Sequence, residues 1–321
     1  MKRNIQVTNF SDVTNSRPRT FVIPQRGVWQ AVACLVLLVG CLGHVLAATY
    51  VGGTISGTWT TAGSPYIATN HCYVAILTIQ AGVEVDFDGN YVFQVDGRLT
   101  ALGTVGSLVV FKRATNNTTG WKGIKFQDAL PGSQLVYCQI DGAVAGGLTA
   151  INTVPLVQSC IFLNNTSSGD GGAISLTLPP VGSSLENCIF ANNSASGRGG
   201  AISASFSGDF SLVSCTITNN SSGSHGGGIM ALIGTNKLVM KNCTISGNAA
   251  NRSSAPANGV VGGGVYVEGN SILTNCLFQN NSAQSCAADY RGSSTAAGGG
   301  LYLTLSSSLQ DCSISGNAVH A

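Results

Sequence analysis

Short segments in the second half of the chain alternate between apolar and polar positions. In the segment CTIT at residues 215–218, Cys215 and Ile217 would face one side of a strand, and Thr216 and Thr218 the other. Equivalent segments recur along the chain, each with an apolar residue two positions after a cysteine. The pattern predicts short, half-buried β-strands, one set in each copy of a repeated unit.

Six cysteines define the repeat, and each stands five residues before an asparagine. The cysteines are Cys160, Cys188, Cys215, Cys243, Cys276 and Cys312, at spacings of 28, 27, 28, 33 and 36 residues. The asparagines are Asn165, Asn193, Asn220, Asn248, Asn281 and Asn317. A glycine step such as GGAI or GGGV lies between copies, and Cys138 begins an earlier, degenerate copy. A sustained period of this length predicts a solenoid.

Two other solenoids compete with a β-helix. LENCIFANN, from Leu185 to Asn193, also fits the strand half of a leucine-rich repeat. The rest of each copy is rich in Gly, Ser, Thr and Val, which argues against an outer helix. A calcium-binding nonapeptide roll would need an aspartate in every copy, and only Asp170 stands beside a glycine step. The sequence therefore predicts an all-β, single-stranded parallel β-helix of roughly ten coils.

Stacked coils would bring equivalent side chains into columns. Cysteines on adjacent parallel strands would lie about 4.8 Å apart, whereas disulfides prefer Cβ atoms about 3.8 Å apart. We therefore expect a column of reduced, packed cysteines and a column of hydrogen-bonded asparagines. Cys72 and Cys286 fall outside the cysteine column, and the sequence does not pair them.

Residues 1–47 differ from the rest of the chain. Five basic residues precede an apolar run from Val28 to Ala48 that ends in small residues, which is typical of an export signal cleaved after Ala47. Two alternatives stay open. LVGC, ending at Cys41, is similar to a lipoprotein signal in which that cysteine carries the lipid, and the run is long enough to remain as a membrane anchor.

The predicted leader, residues 1–47, determines the expected domain bounds and the charge of the remaining chain. We expect the export signal or anchor at 1–47, N-terminal β-helix coils at 48–136, and the Cys/Asn/Gly-Gly repeat coils at 137–321. The leader contains five of the 15 basic residues and one of the 13 acidic ones, which leaves 10 basic and 12 acidic residues. This balance excludes a basic stripe, so nucleic acid is not an expected partner.

The repeat motifs resemble those of a known family. FLNN, FANN and FQNN at Phe162–Asn165, Phe190–Asn193 and Phe278–Asn281 alternate with GGAI at 171–174 and 199–202. They resemble the F-x-x-N and G-G-A-I motifs of polymorphic outer-membrane protein repeats. The resemblance implies a right-handed parallel β-helix that is exported to the cell surface, the outer membrane or the medium and acts as an adhesin.

The resemblance extends to the first coils but not to the end of that family's chains. The segment from Tyr50 to Gly147 is similar to the N-terminal part of bacterial right-handed β-helix repeat proteins. Polymorphic outer-membrane proteins are transported through a C-terminal β-barrel, whereas this sequence ends in SGNAVHA, within a repeat. Contact with a membrane is therefore expected only through the N-terminal segment or through a missing C-terminal part.

Three groups of residues are candidates for a site. Asp170, Arg198 and His225 each precede a glycine step, so they would form one column that could bind a sugar or act as acid and base. Tyr266 and Tyr302 would stack on the outer face, as an aromatic platform for a ligand or only as packing between coils. We favour a structural role for both columns. Charged columns of this kind are usually weak surface ion pairs, and packing between coils is enough to explain the stacked tyrosines.

The third group is acidic. Glu84, Asp86 and Asp88 in VEVDFDG alternate and would share one face of a strand, where three carboxylates could bind a cation. We interpret them instead as a solvated outer face that ends in an Asp-Gly turn, because no basic partner can be assigned. The sequence thus assigns no catalytic residue, no metal ligand and no cofactor.

The expected function is therefore that of a non-catalytic, adhesin-like or scaffold module that contacts glycans or proteins. Its longer corners, 249–261 and 282–297, are the expected recognition loops. The alternative is a polysaccharide lyase or hydrolase of the pectate-lyase-like fold. The enzyme interpretation is favoured if acids and a Lys or Arg from three adjacent coils meet in one lateral groove. The enzyme interpretation is disfavoured if Asp170, Arg198 and Glu186 face different sides of the β-helix.

Overall fold

The structure is a computed structural model of the 321-residue chain. It describes residues 48–177, 183–205, 208–251, 260–284 and 296–320. The predicted leader, including Cys41, lies outside the described residues, as do Cys286 and the greater part of both expected recognition loops. Within these ranges, no helix is long and apolar enough to cross a membrane.

The described residues form strands and one short 3₁₀ helix, Thr61–Gly63. The strands up to the second repeat coil are β1 (Thr49–Trp59), β2 (Tyr66–Gln80), β3 (Glu84–Phe87), β4 (Phe93–Leu102), β5 (Val109–Arg113), β6 (Ile124–Gln127), β7 (Gln134–Val136), β8 (Cys138–Asp141), β9 (Leu148–Ile151), β10 (Leu156–Gln158), β11 (Ile161–Leu163), β12 (Thr166–Ser167), β13 (Ile174–Thr177), β14 (Ser183–Glu186), β15 (Ile189–Ala191) and β16 (Ser194–Ala195). The strands that follow are β17 (Ile202–Ser205), β18 (Phe210–Val213), β19 (Thr216–Thr218), β20 (Ser221–Ser222), β21 (Ile229–Lys241), β22 (Thr244–Ser246), β23 (Ala249–Asn251), β24 (Val260–Val261), β25 (Val265–Thr274), β26 (Leu277–Gln279), β27 (Ser282–Gln284), β28 (Ala296–Ala297), β29 (Leu301–Leu303), β30 (Ser307–Gln310), β31 (Ser313–Ser315) and β32 (Ala318–His320).

Each repeat coil passes through four rows of parallel strands, which we number in chain order from the glycine step. Row 1 contains β6, β9, β13, β17 and β29, and row 2 contains β7, β10, β14, β18 and β30. The long strands β1, β2, β4, β21 and β25 turn the corner from row 1 into row 2. Row 3 contains β3, β5, β8, β11, β15, β19, β22, β26 and β31, and begins with parts of β1 and β2. Row 4 contains β12, β16, β20, β23, β27 and β32.

The register confirms the predicted β-helix. Phe162 pairs with Phe190, Phe190 with Ile217, and Ile217 with Ile245, so one position of the repeat stacks from coil to coil. Row 3 has eleven rungs in the described part of the chain, close to the roughly ten coils expected. Its inward-pointing side chains from Tyr66 to Phe278 contribute to one continuous core, whereas Ile314 in the last rung is exposed.

The cysteines form the predicted column of free, packed thiols. Cys160, Cys188, Cys215 and Cys243 are at most 1% exposed, and none of the described cysteines is in a disulfide. The thiol of Cys160 donates to the carbonyl of Leu135 one coil earlier, at 3.2 Å. The remaining described cysteines are also free, and the column continues through Cys276 to Cys312.

The asparagines form a buried ladder at the corner between rows 3 and 4. The Nδ2 group of Asn193 donates to Oδ1 of Asn220 at 3.0 Å, and the backbone N–H of Asn193 donates to the same oxygen at 2.9 Å. Asn220 makes the same two bonds to Asn248. A buried amide without partners would cost about 1–3 kcal/mol, so each coil satisfies the polar groups of the coil before it.

Candidate functional site

The residues that precede the glycine steps occupy the corner that leads into row 1. The N–H of Gly171 donates to the carbonyl of Arg198, and the N–H of Gly199 donates to that of His225, both at 2.9 Å. Asp170, Arg198 and His225 therefore lie on successive coils in one column. Asp170 and Arg198 are exposed, and His225 is half-buried.

Asp170 contacts backbone rather than the guanidinium group of Arg198. Its Oδ1 accepts the backbone N–H of Arg198 at 2.7 Å. In the ranges that the structure describes, Asp170 and Arg198 form no ion pair; the ion pairs found there are those of Lys112. The expected acid–guanidinium pair is therefore absent from these ranges, and the Arg198 guanidinium is held by no carboxylate within them.

His225 joins the glycine-step column to the two tyrosines, which the sequence had placed in a separate column. The His225 ring stacks on Tyr266 with centroids 5.2 Å apart and planes inclined by 24°. Tyr266 stacks on Tyr302 at 5.6 Å and 12°. We name His225, Tyr266 and Tyr302 the aromatic column. Rigid parallel strands hold the tyrosines in place, because Tyr266 in β25 pairs directly with Tyr302 in β29.

Hydrogen bonds orient the members of the aromatic column. Nδ1 of His225 accepts the backbone N–H of Val261 at 3.3 Å, which fixes how the ring faces the next coil. The hydroxyl of Tyr266 donates to Oε2 of Glu268 at 3.4 Å. Burial, and then the charge and hydrogen bond of Glu268, raise the pKa of Tyr266, whereas Arg198 acts in the opposite direction. Tyr266 therefore stays a neutral phenol at physiological pH.

The stacking limits what the aromatic column can bind. Both ring faces of Tyr266 are covered, one by His225 and the other by Tyr302. The column consequently presents ring edges and hydroxyls to solvent, beside the exposed charges of Arg198 and Glu268. Such a surface suits a ligand with many hydrogen-bonding groups better than one that stacks on a ring face.

A second cluster, which the sequence did not reveal, lies on three successive coils of row 3. Lys112 in β5 pairs with Asp86 in β3 and with Asp141 in β8. The Lys112 ammonium donates to Oε2 of Glu84 at 2.8 Å and lies 3.8 Å from Oδ1 of Asp86. We name Glu84, Asp86, Lys112 and Asp141 the acid–lysine cluster. Asp88, the third predicted carboxylate, is exposed beyond the end of β3.

The acid–lysine cluster corrects the interpretation of the VEVDFDG carboxylates as a solvated face without a basic partner. Oδ1 of Asp86 is buried and accepts no hydrogen bond within the described residues. Burial raises the pKa of Asp86, Lys112 lowers it and Glu84 raises it. Burial alone would lower the pKa of Lys112, but its hydrogen bond to Glu84 and the surrounding carboxylates raise it, so this lysine stays charged.

A surface cavity of about 380 Å³ adjoins the cluster. It is lined by Lys112, Arg113, Asp141, Gly142 and Asn164. Nδ2 of Asn164 donates to Oδ1 of Asp141 at 3.0 Å, which holds that carboxylate at the wall of the cavity. Acids and a lysine from three adjacent coils therefore meet on one lateral face, where Lys112 and Asp141 line the cavity.

The corner residues do not form a comparable arrangement. Glu186 ends β14 in row 2, whereas Asp170 and Arg198 lie at the corner before row 1. The three therefore face different sides of the coil. Within the described ranges, no group of three or more His, Cys, Asp or Glu side chains could hold a metal ion.

Comparison with known proteins identifies the architecture. A family model described as a right-handed beta helix region matches residues 131–320, more than half of the chain. Neither the curated proteins nor the solved structures gave a match.

Proposed function

Because the chain belongs to the right-handed beta helix family, we propose that it is an exported, non-catalytic module of the cell surface or medium that binds glycans or surface proteins through its lateral face. The aromatic column is the observation that carries this proposal. It combines two tyrosines and a histidine with the exposed charges of Arg198 and Glu268, and tyrosine and arginine are enriched where proteins bind partners.

The chemistry of the aromatic column favours recognition by hydrogen bonds. Since the ring faces of Tyr266 are covered, its hydroxyl and ring edge face the ligand together with Arg198 and Tyr302. Hydroxyl groups of a glycan or the backbone of a protein loop can satisfy these donors and acceptors. The bound ligand would run along the column, because equivalent groups repeat about every 4.8 Å along the coils.

Binding can be tested with the purified full chain on an array of glycans and on intact target cells. The double variant Tyr266→Phe/Tyr302→Phe keeps the stacked rings and removes both hydroxyls, so we expect at least a tenfold weaker binding. Tyr73→Phe, an exposed tyrosine at the other end of row 1, is the matched control and should bind normally. Equal binding by the double variant and the control would refute the proposal.

A specific observation favours the polysaccharide lyase or hydrolase as a second candidate. The Lys112 ammonium lies 2.8 Å from Oε2 of Glu84 and 3.8 Å from Oδ1 of Asp86, so two carboxyl groups flank one cation. Paired carboxyl groups are the residues that glycoside hydrolysis uses. Asp86 would act as the acid because its pKa is raised, and Lys112 would stabilise the charge that develops on the neighbouring carboxylate.

If the chain is a polysaccharide lyase or hydrolase, it should release product, and this activity should depend on the acid–lysine cluster. The purified chain is incubated with polygalacturonate and related glycans, and new reducing ends and unsaturated ends are measured. Activity that is lost in Asp86→Asn and Lys112→Met, but kept in the surface control Lys237→Met, would support it. Absence of product, or activity that survives both cluster variants, would leave the binding module as the function.

A further inference from the structure

Exposed asparagines form a second column beside the buried ladder. In each repeat coil, the residue before the ladder asparagine has a left-handed φ of 54° to 64°. This residue is an exposed asparagine in four coils, namely Asn164, Asn192, Asn219 and Asn280. It is Gly247 or Gly316 in the other two. We name the four the corner asparagines.

The residue two positions later changes together with the corner residue. Hydroxyl residues follow the corner asparagines, namely Thr166, Ser194, Ser221 and Ser282. Ala249 and Ala318 follow the two glycines. The left-handed φ explains why asparagine and glycine alternate at the corner. It does not explain why the hydroxyl is lost whenever the asparagine is lost.

The fold itself does not couple the two positions. Oγ1 of Thr166 contacts the carbonyl of Ala143 at 3.4 Å, and Oγ of Ser221 bonds to Oγ of Ser194 at 3.0 Å. The side-chain amides of Asn192, Asn219 and Asn280 have no hydrogen-bond partner among the residues that the structure describes. Among the described residues, no hydrogen bond therefore joins a corner asparagine to the hydroxyl two positions after it.

We propose that the corner asparagines are acceptor sites for N-linked sugars, an inference that depends on the export proposed above. Asn-x-Ser/Thr is the triplet that N-glycosylating enzymes read on exported proteins. The amide nitrogen attacks the anomeric carbon of a diphosphate-activated sugar and loses a proton to a base of the transferase. The new C–N bond replaces the C–O bond, whose electron pair leaves with the diphosphate.

Geometry predicts which acceptor is modified most. Successive coils are about 4.8 Å apart, so sugars on adjacent coils would collide. Asn192 lies between Asn164 and Asn219, whereas Asn280 has a glycine corner on either side. Nδ2 of Asn164 is also engaged, because it donates to Asp141. We therefore expect the highest occupancy at Asn280 and a low one at Asn192.

The test is glycopeptide mass spectrometry on the full chain, purified from the cells that naturally produce it and fractionated by compartment. We expect sugar on most copies of Asn280 and at least a threefold lower occupancy at Asn192. The same triplet begins elsewhere at Asn9, Asn116, Asn117, Asn165, Asn220, Asn242 and Asn251, and these positions are mapped together with the column. An exported protein whose corner asparagines are all unmodified would overturn this inference and leave the proposed function standing. An unmodified protein confined to the cytosol would contradict both.

Three variants change the triplet at Asn280 without disturbing the fold, because each introduces a residue that another coil already has at that position. Asn280→Gly copies Gly247, and Ser282→Ala copies Ala249; both should abolish the sugar at Asn280. Ser282→Thr copies Thr166 and should keep it. Loss of the sugar in all three, or in none, would contradict the assignment. Circular dichroism and the thermal midpoint confirm that the β-helix is intact in each variant.

Discussion

At the scale of single residues, the buried cysteines act as small hydrogen-bonding core residues. Their thiols donate to carbonyl groups of the same coil and of the coil before it, as Cys215 does to Val213 and Leu185. The thiol of the coil before is the main factor that raises the pKa of Cys188 and of Cys215 to about 12; the thiol of the next coil lowers it, and burial raises it further. A thiol that stays protonated in the fold is unreactive, since the thiolate is the nucleophile.

This protonation predicts a loss of stability at alkaline pH. The pKa in the fold, about 12 for Cys188, is above the ordinary thiol pKa of 9.0, so the native state holds protons that the unfolded chain releases above pH 9. The free energy of unfolding should then fall as pH rises from about 9 to 12, by about 1 kcal/mol per buried cysteine at pH 10. Urea unfolding between pH 8 and 10 measures this fall. A free energy of unfolding that does not change over that range would contradict the protonated column. Cys215→Ala should make the fall smaller by the contribution of one thiol.

The same cysteines should resist labelling. In the native protein at pH 8, iodoacetamide should leave Cys188, Cys215 and Cys243 unmodified, whereas all three react after denaturation. Peptide mass spectrometry gives the labelled fraction at each position. Cys312 is more exposed than the rest of the column and serves as the internal positive control. Rapid native labelling of Cys215 would show that the column is open to solvent.

At the scale of elements, the glycine step fixes the close approach of successive coils. Gly199 has a φ of +63°, which favours glycine, and Gly200 is required for a different reason. A Cβ atom at Gly200 would lie 2.2 Å from the carbonyl oxygen of Gly227 in the next coil. Because that neighbour is backbone, the clash cannot be relieved by a side chain that moves away.

A matched pair of substitutions tests the glycine step. Gly200→Ala should destabilise the protein by about 3 kcal/mol, because the coils must separate to admit the methyl group. In Gly106→Ala the new Cβ meets no atom within 4 Å, so its thermal midpoint should stay within a degree or two of the wild type. Equal midpoints for the two variants would mean that the coils are not in contact at Gly200.

The strands and columns of the repeat coils were predictable because every copy has its own cysteine, asparagine and glycine step. Coils 48–136 have no such markers, so the register that places Lys112 beside Asp86 could not be deduced. The sequence predicted that Tyr302 stacks on Tyr266, but not that His225 joins them. His225 lies in the corner before the glycine step of one coil and Tyr266 in a strand of the next, so their positions in the repeat do not indicate that the rings lie 5.2 Å apart.

At the scale of the whole molecule, the chain is a stack in which each coil contacts its neighbours. Stability in such a solenoid is close to a sum of terms from single coils and from adjacent interfaces. The asparagine ladder is an example of such an interface between adjacent coils, because the Nδ2 group of each ladder asparagine donates to the next one along the axis. Side chains that lie four coils apart should accordingly not influence one another.

A double-mutant cycle on the ladder tests the stacking of successive coils most directly. Asn193→Ala and Asn220→Ala are combined, and the free energy of unfolding of each variant is measured with urea. Since the two amides bond to each other across 27 residues of chain, we predict a coupling energy of about 1 kcal/mol or more. The distant pair Asn165 and Asn281 should be additive within about 0.5 kcal/mol. Additivity at Asn193 and Asn220 as well would contradict the stacked β-helix.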